Sequence, residues 1–261
     1  MEHSVLSEAV LAALDNVEST YFSLARQLPG TTISQRSGYL LARSPHRLSF
    51  GNFAAAFDGS ASVSETLRDL REDAKHPFGL WIYVADDWAP EGLVDALIAE
   101  GYTVRQSLSQ LSTGQSGQPW RGLVPCETTH SRLVAAKFMA EQFFPSAPAK
   151  AKALVAHATA SSAHHLLNFE LHTRPLASMM LAESERSVGL YNLCVARNKR
   201  KLGYGGQMVR AAMSMAASRG KPLVLQCHGS LRGWYESLGF EYLGEFLAFQ
   251  AGAGSLPDVI G

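Results

Sequence analysis

Residues Val188 to Arg219 read VGLYNLCVARNKRKLGYGGQMVRAAMSMAASR, and this segment combines three kinds of local structure. Its first part, Val188 to Val195, mixes β-branched, aromatic and aliphatic side chains without a helical period, which predicts a buried strand. A basic, glycine-rich turn follows over 197–206. The next residues, Gln207 to Arg219, place apolar side chains on one side of a helix and end before Gly220, where a helix cap is expected. The segment therefore predicts a strand, a turn and a helix in that order.

The glycine-rich turn has the properties of a phosphate-binding site. A turn that opens a helix leaves backbone N–H groups without partners and directs them, with the positive end of the helix dipole, at one point. Gly203, Gly205 and Gly206 would let a ligand approach the backbone closely. Four cations lie within five positions, namely Arg197, Lys199, Arg200 and Lys201. The turn therefore predicts a site for a polyanionic ligand; the alternative is an ordinary turn with solvated basic residues.

Two common phosphate-binding motifs do not fit this turn. A dinucleotide fingerprint would need a glycine at Met208 and an acidic residue about twenty positions on, and the strand predicted over Leu223 to Cys227 has none. A nucleotide-triphosphate loop would need Gly-Lys-Ser/Thr at the end of the turn. What remains is Arg200-x-x-Gly203-x-Gly205. This motif resembles the signature Gln/Arg-x-x-Gly-x-Gly/Ala of the GNAT superfamily of acyl-CoA-dependent N-acyltransferases, in which the turn holds the pyrophosphate of coenzyme A.

A second motif lies where that family would have it. The segment Ser230 to Phe240 resembles the family's helix that ends in Tyr-x-x-x-Gly-Phe, with Tyr235 and Gly239-Phe240 at the matching positions. The resemblance covers Leu123 to Phe249 and implies acetyl-CoA as the cosubstrate. The residues that it places at coenzyme A are Leu193, Cys194, Val195, Arg200, Lys201, Leu202, Gly203, Tyr204, Gly205 and Gly206.

The chemistry that the resemblance implies is direct transfer of an acyl group from a thioester to an amine. Tyr235 has the family's position for the general acid that protonates the departing thiolate, and a phenol with a pKa of about 10 is protonated at neutral pH. The strand over Leu190 to Val195 corresponds to the one whose backbone N–H binds the thioester carbonyl. The alternative role for Tyr235 is that of a packed aromatic residue beside Trp234.

The general base is not marked by either motif, because Asn192 stands where family members often carry a carboxylate. Glu183 and Glu170 are the nearest acids on the predicted strands, although Glu183 could simply open a turn and face solvent. His228 stands where relatives commonly have an asparagine that contacts the pantetheine arm. It could replace that contact, act as the base or be an ordinary loop residue. Glu183 and His228 are therefore the candidates for a catalytic role beside Tyr235.

Length and composition exclude several classes of protein. The chain has 261 residues, of which 46% are hydrophobic and 18% charged, as in a globular protein with room for two domains. Lys plus Arg equals Asp plus Glu at 23 each, so we expect no nucleic-acid partner. No run reaches transmembrane length and the first residues are unlike a secretory signal, so we expect no membrane contact and a cytoplasmic protein. Cys126, Cys194 and Cys227 lack metal or disulfide spacing and predict reduced thiols without a metal.

The two halves of the chain show a common order of predicted elements. Strand, helix, Gly101-Tyr102 and strand follow one another over 80–111, and strand, helix, Gly239-Phe240 and strand do so over 223–249. The order predicts an internal repeat, although any α/β chain can show it once by accident. The first half has Phe57-Asp-Gly-Ser-Ala where the basic turn should be, which predicts that it binds no cofactor.

The predicted fold class is therefore α/β (α+β mixed sheet), as tandem GNAT-like domains, each a mixed, mostly antiparallel sheet flanked by helices. The predicted divisions are a degenerate GNAT-like domain over 1–111, a linker over 112–122, a catalytic domain over 123–250 and a flexible tail over 251–261. In the first half we predict a helix over Ser4 to Leu28 and strands over Ser37 to Arg43 and Arg47 to Phe57. We expect this half to form a wall of the active cleft, orient the substrate or form a homodimer.

Three functions from different classes follow from these residues. The resemblance predicts an N-acetyltransferase that moves an acetyl group from acetyl-CoA to a primary amine of a small-molecule or protein acceptor. A catalytically silent coenzyme A-binding regulatory or sensor protein is the alternative, which the missing base favours and the presence of Tyr235 disfavours. A third alternative is a module whose basic turn binds RNA or DNA phosphate, and the neutral overall charge disfavours it.

Overall fold

The computed structural model describes residues 7–251. The helices are α1 (Glu8–Arg26), α2 (Val63–Ala74), α3 (Leu93–Ala99), α4 (Thr129–Phe143), α5 (Ala149–Ser161), α6 (Tyr204–Ala217) and α7 (Gly229–Glu236). The strands are β1 (Thr32–Arg36), β2 (Tyr39–Arg43), β3 (Phe53–Ala55), β4 (Trp81–Ala85), β5 (Tyr102–Thr113), β6 (Leu123–Pro125), β7 (His165–Leu171), β8 (Arg174–Glu183), β9 (Val188–Val195), β10 (Leu223–His228) and β11 (Glu241–Ala251). The predicted tail lies outside the described residues, apart from Ala251 at the end of β11, and so does the predicted start of the first helix.

These strands form one sheet in the order β1-β2-β3-β4-β11-β5-β10-β9-β8-β7-β6. Neighbouring strands are antiparallel except for two pairs, β3 with β4 and β9 with β10. The sheet is therefore mixed and mostly antiparallel, with helices packed against it, and the predicted fold class is confirmed. Within residues 7–251, no helix has the length and apolar character that crossing a membrane would require.

The two halves repeat one order of elements and exchange their last strands. Each half has an antiparallel meander, a helix, a strand parallel to the last strand of the meander, a second helix and a final strand. The final strand of the first half, β5, pairs with β10 of the second half. The final strand of the second half, β11, pairs with β4 of the first half. Because β5 and β11 also pair with each other, each half completes the sheet of the other.

Helix α1 fixes the first half onto the second half. Asn16 Nδ2 donates to the carbonyl oxygen of Ala182 at 3.0 Å, and Asn16 Oδ1 accepts from the Tyr191 hydroxyl at 2.9 Å. The Ser187 hydroxyl donates to the carbonyl oxygen of Ala12 at 2.9 Å. Gly189 lies directly below Asn16, and a Cβ atom there would overlap Asn16 Oδ1. The glycine therefore allows α1 to reach the strand that carries the basic turn.

The segment between β5 and β6, predicted as a linker, lies against the second half. Strand β5 continues to Thr113, two residues beyond the predicted end at Leu111. The Trp120 ring contacts Phe169 and Tyr204 at centroid distances of 4.6 and 6.4 Å. Because Tyr204 begins α6, this segment covers one side of the basic turn.

The predicted strands near residue 50 differ from the observed ones. Strand β1 was not predicted, because its sequence TISQR is mostly polar, as is common at the edge of a sheet. The predicted strand from Arg47 to Phe57 is mostly loop, with only Phe53–Ala55 paired. Asn52 holds the loop, since its Nδ2 donates to the carbonyl oxygen of His46 at 2.7 Å and its Oδ1 accepts from Ser44 N–H at 3.2 Å. Such side-chain bonds to the backbone compete with strand pairing.

Candidate active site

The basic turn leaves the N-terminus of α6 open. The helix begins at Tyr204, and Gly203 is its N-cap in the left-handed region, with φ of 86° and no capping side chain. No heavy atom lies within 4 Å of the position that a Cβ of Gly203 would occupy. The first N–H groups of α6 therefore have no side-chain acceptor at the cap, which is the arrangement that binds anions in many proteins.

A cavity of about 760 Å³, here called the turn cavity, lies in front of this helix terminus. Nine of the ten residues predicted to contact coenzyme A line it; Leu202, the tenth, is 59% exposed and does not. Its cationic residues are Lys199, Arg200, Lys201 and Arg210, whereas Arg197 lies outside the lining. Arg210 was not predicted, although it follows Gly206 by one helical turn on the same face. The cavity therefore combines an open helix N-terminus with four positive charges.

Strands β9 and β10 separate beside the turn cavity. Their parallel pairing ends at Leu190 and Leu225. On the other side of β9, the register with β8 shifts between Ser178 and Met180, and Asn192 opposite this shift has a φ of 51°. The backbone after Leu190 therefore leaves β10, and its N–H groups on that side have no partner on β10. A ligand in the gap could accept a hydrogen bond from one of them.

Tyr235 lies in the wall between the turn cavity and its neighbour. It is 7% exposed, and its ring packs against Trp234 and Phe240 at centroid distances of 4.6 and 5.5 Å. Its hydroxyl has no hydrogen-bond partner among residues 7–251. Burial, with a smaller contribution from Cys227, raises the pKa of Tyr235 above its ordinary value. The phenol is therefore protonated at neutral pH and has a free proton to donate.

A second cavity, of about 500 Å³, adjoins the turn cavity and is formed by both halves of the chain. The two cavities share Phe143, Leu193, Leu231 and Tyr235. Helix α1 contributes Tyr21, and β5 contributes Arg105, Gln106 and Leu108. None of these first-half residues was identified from the sequence, because no local motif marks them.

A smaller apolar cavity of about 140 Å³ extends from the second cavity. The two share Tyr21, Phe143, Tyr191 and Asn192. The remaining lining is almost entirely hydrocarbon, from α1, α4, α5 and β8 together with Phe50. The cleft therefore has three compartments, which are basic, polar and apolar.

His228 lies at the mouth of the second cavity and caps α7. Its Nδ1 accepts from the Ser230 N–H at 3.3 Å and lies 2.9 Å from the Ser230 hydroxyl oxygen. A neutral imidazole that accepts at Nδ1 carries its proton on Nε2. His228 therefore presents a donor in this state, and removal of a substrate proton at Nδ1 would cost the helix its cap.

The structure separates both acidic candidates for the base from Tyr235. Glu183 ends β8 opposite Val188, roughly 23 Å along β9 from Val195 at about 3.3 Å per residue. Lys221 and Arg219 contact its carboxylate at 2.8 and 3.1 Å, and these cations hold the pKa of Glu183 below its usual range. The structure therefore places Glu183 at a turn, paired with two cations and outside the lining of the turn cavity, which disfavours its prediction as the base.

The other acid, Glu170 on β7, accepts from Asn168 Nδ2 at 2.9 Å and does not line any of the three cavities. In fact no Asp or Glu among residues 7–251 lines them. A carboxylate base in direct contact with the cleft is therefore absent from the described part of the chain.

Two thiols line the cleft but are poor nucleophiles. Burial raises the pKa of Cys194, in the turn cavity, to about 12 and that of Cys227, in the second cavity, to about 11. Because the thiolate is the reactive form, neither thiol is activated at neutral pH. Within residues 7–251, no group of three or more His, Cys, Asp or Glu side chains is arranged to hold a metal ion.

Solved structures of other proteins share this architecture. No protein-family model and no curated protein matches the chain. Among solved structures, the chain is similar to a GCN5-related N-acetyltransferase from Kribbella flavida, with 15% identity, a TM-score of 0.67 and coverage of 96% of this chain and 98% of that one.

Two further structures agree. A putative GNAT acetyltransferase from Novosphingobium aromaticivorans matches 95% of this chain and 97% of its own, with 18% identity and a TM-score of 0.59. A tandem GNAT protein from the clavulanic acid biosynthesis pathway matches 94% of both chains, with 11% identity and a TM-score of 0.56. Each similarity extends through both halves of this chain. The chain therefore has the fold of the GNAT acetyltransferases, as the two sequence motifs predicted.

Proposed function

We propose that the protein is an N-acetyltransferase that transfers the acetyl group of acetyl-CoA to a primary amine by direct attack. The observation that carries the proposal is the position of Tyr235. It is a buried, protonated phenol without a partner at the junction of a basic cavity and a polar one. A general acid in direct transfer needs this position, with the donor on one side and the acceptor on the other.

The residues of the turn cavity suit coenzyme A. The uncapped N-terminus of α6 and the side chains of Lys199, Arg200, Lys201 and Arg210 would hold its phosphates. The separated part of β9 would donate a backbone N–H to the oxygen of the thioester carbonyl, and this bond strengthens as the oxygen becomes negative. Acetyl-CoA itself supplies the activated acyl group.

In the second cavity, the neutral amine attacks the carbonyl carbon, so that a C–N bond forms and the C–S bond breaks. Tyr235 gives its proton to the departing sulfur. The amine nitrogen loses a proton to solvent, because no carboxylate among the described residues lines the cleft, and Tyr235 regains a proton from solvent before the next turnover. With both cleft thiols protonated, an acyl-cysteine intermediate is disfavoured, which supports direct attack.

Thermal unfolding with acetyl-CoA, coenzyme A, NAD and ATP tests the proposal. Acetyl-CoA and coenzyme A should stabilise the protein, by about 2.7 kcal/mol at a concentration one hundred times Kd, while NAD and ATP should give much smaller shifts. Release of free thiol from acetyl-CoA in the presence of an amine library then tests turnover. Absence of any stabilisation by acetyl-CoA contradicts the proposal.

A coenzyme A-binding sensor without turnover is the second candidate, and the absence of a lining carboxylate among the described residues favours it. One measurement distinguishes the enzyme from the sensor. Both require acetyl-CoA binding, but only the enzyme releases thiol faster when an amine is added.

A further inference from the structure

The charge of the second cavity restricts the acceptor. Among residues 7–251, its only permanently charged lining residue is Arg105, and the adjoining apolar cavity has no charged residue. An acceptor with several ammonium groups, such as a polyamine, would meet a cation and no carboxylate there. Like charges disfavour each other, so this lining disfavours such acceptors. Two carboxylates act on Cys227 from outside the lining, those of Glu236 and Glu245, and Glu236 is paired with Arg232 at 2.7 Å. The cavity suits a molecule that brings a negative charge.

A bulge between β5 and β11 sets the orientation of Arg105. The register of β5 with β11 passes from Gln106 opposite Ala248 to Val104 opposite Phe249, so Arg105 is the extra residue of a bulge. A bulge re-aims a side chain and is common beside binding sites. Arg105 is exposed, and no carboxylate among residues 7–251 forms an ion pair with it. Its guanidinium group is therefore free to bind an anionic group in a bidentate manner.

Gln226 supplies a second donor. Its Oε1 accepts from the Tyr21 hydroxyl at 2.9 Å, which fixes the orientation of the amide. Its Nε2 is buried and has no hydrogen-bond partner in the part of the chain that the structure describes. A buried N–H group without a partner is unfavourable, and because this one is shielded, a ligand oxygen would satisfy it only after the amide turns towards the second cavity. Arg105 and the Nε2–H of His228 thus present donors to the second cavity, and Gln226 lies in the same lining.

The apolar cavity suits a hydrocarbon group of the same ligand. It is continuous with the second cavity along Tyr21 and Tyr191, and its lining includes Leu24, Met139, Phe144 and Met180. A volume of about 140 Å³ accommodates a side group of a few carbon atoms or one ring. The acceptor would therefore have three parts, namely an amine, an anionic group and an apolar group.

We propose that the acceptor is an amine that carries a carboxylate and an apolar group on or near the same carbon, as an apolar α-amino acid does; this inference rests on the proposed acetyl transfer. The carboxylate binds Arg105, and the apolar group enters the small cavity. The amine then faces Tyr235. The C–N bond forms as the C–S bond breaks, and the products are the N-acetyl amino acid and coenzyme A.

Matched pairs of amines test this inference on the full-length protein. Valine, leucine, methionine and phenylalanine are each compared with the decarboxylated amine of the same side chain, and spermidine serves as the polycationic probe. Thiol release from acetyl-CoA gives kcat/KM for each. We expect at least one amino acid to exceed its decarboxylated partner by about 10- to 100-fold, the value of one charge-assisted contact, and spermidine to be inactive.

Arg105→Gln should remove this preference by raising KM for the amino acid, while its affinity for acetyl-CoA measured by calorimetry is unchanged. Arg186→Gln, which removes an exposed arginine outside the three cavities, is the matched control and should keep the preference. Acetyl-CoA binding without a response to any of the four amino acids overturns the inference, and so does faster turnover of spermidine or of the decarboxylated amines. Loss of acetyl-CoA binding in the wild-type protein would instead contradict the proposed function.

Discussion

The two halves of the molecule share an order of elements but differ in the capping of the corresponding helix, which is α2 in the first half and α6 in the second. In the first half, α2 satisfies its own first N–H groups. The Ser62 hydroxyl accepts from Glu65 N–H at 3.3 Å, and the Glu65 carboxylate accepts from Ser62 N–H at 3.0 Å. In the second half, Gly203 precedes α6 and has no side chain to cap it. The donors that α2 uses internally are left for a ligand at α6.

The turns before these two helices also differ in charge. The turn before α2 contains Asp58, which accepts from Ser60 N–H at 2.8 Å, and the hydrogen bonds from Ser60 hold the pKa of Asp58 below its usual range. This acid is therefore anionic at neutral pH and would repel phosphate. The turn before α6 has three cations in its cavity lining. Of two helices at the same place in the topology, only the one that is uncapped and follows a basic turn is therefore suited to bind an anion.

The largest effect is expected from separating the halves. A fragment with residues 122–261 lacks β5, which pairs with both β10 and β11. We expect the fragment to show no cooperative thermal unfolding and no acetyl-CoA binding, because the strands around Tyr235 lose their common neighbour. Mixing it with a 1–121 fragment should restore both signals. Acetyl-CoA affinity in the 122–261 fragment equal to that of the whole chain would mean that the second half is independent.

Tyr235→Phe should give the next largest effect, and this effect should be confined to turnover. The variant keeps the ring between Trp234 and Phe240 but has no proton to give, so kcat should fall by roughly 10²- to 10⁴-fold while acetyl-CoA affinity stays within about twofold. Tyr242→Phe, which alters an exposed tyrosine outside the cavities, serves as the control. Wild-type turnover in Tyr235→Phe would make Tyr235 a packing residue.

The pH dependence of kcat also tests the assignment of Tyr235 as the general acid. Burial raises the pKa of Tyr235, so the acid is fully present below the ordinary phenol pKa of about 10 and is lost only as pH rises through a higher value. The wild-type rate should therefore show no phenol-linked fall up to about pH 10. A fall near neutral pH that disappears in Tyr235→Phe would contradict the assignment.

Gly203→Val should weaken acetyl-CoA binding by an order of magnitude or more, because its side chain would enter the space in front of α6. Gly220→Val is the matched control. Gly220 also has a positive φ, of 66°, with no heavy atom within 4 Å of its Cβ position, but it follows the other end of α6. Both variants should lose similar stability, and only the first should lose affinity by calorimetry. Equal affinities would place the phosphates elsewhere.

The basic turn was predictable because it is local. Its glycines and cations are contiguous, so the geometry that brings them to one cavity is set by the turn and the start of the helix. Tyr21 and Arg105 reach the cleft only because α1 crosses to the second half and β5 is exchanged into its sheet. No local pattern encodes either event, and these residues were missed.

The assignment of Glu183 shows how strand direction matters. Its position a few residues before β9 suggests that it lies near the site. In an antiparallel pair, however, the end of β8 faces the start of β9, so Glu183 is opposite Val188 while Ala177 is opposite Val195. The antiparallel direction of a predicted meander is therefore enough to exclude Glu183 from the far end of β9. The helical period that follows Gly206 is likewise enough to identify Arg210.

The smallest effect is expected at the capped helix of the first half. Ser62→Ala removes the side chain that caps α2, and loss of an N-cap serine typically costs about 1 kcal/mol. In a chain of this size, that corresponds to a fall in Tm of about 2–4 °C. Acetyl-CoA affinity should not change, because the turn before α2 contains Asp58 and no cation that would attract phosphate. Ser146→Ala, at an exposed serine that caps no helix, should leave Tm unchanged. If Ser62→Ala instead created a second acetyl-CoA site by calorimetry, capping alone would distinguish the halves, and the charge of the turn would be secondary.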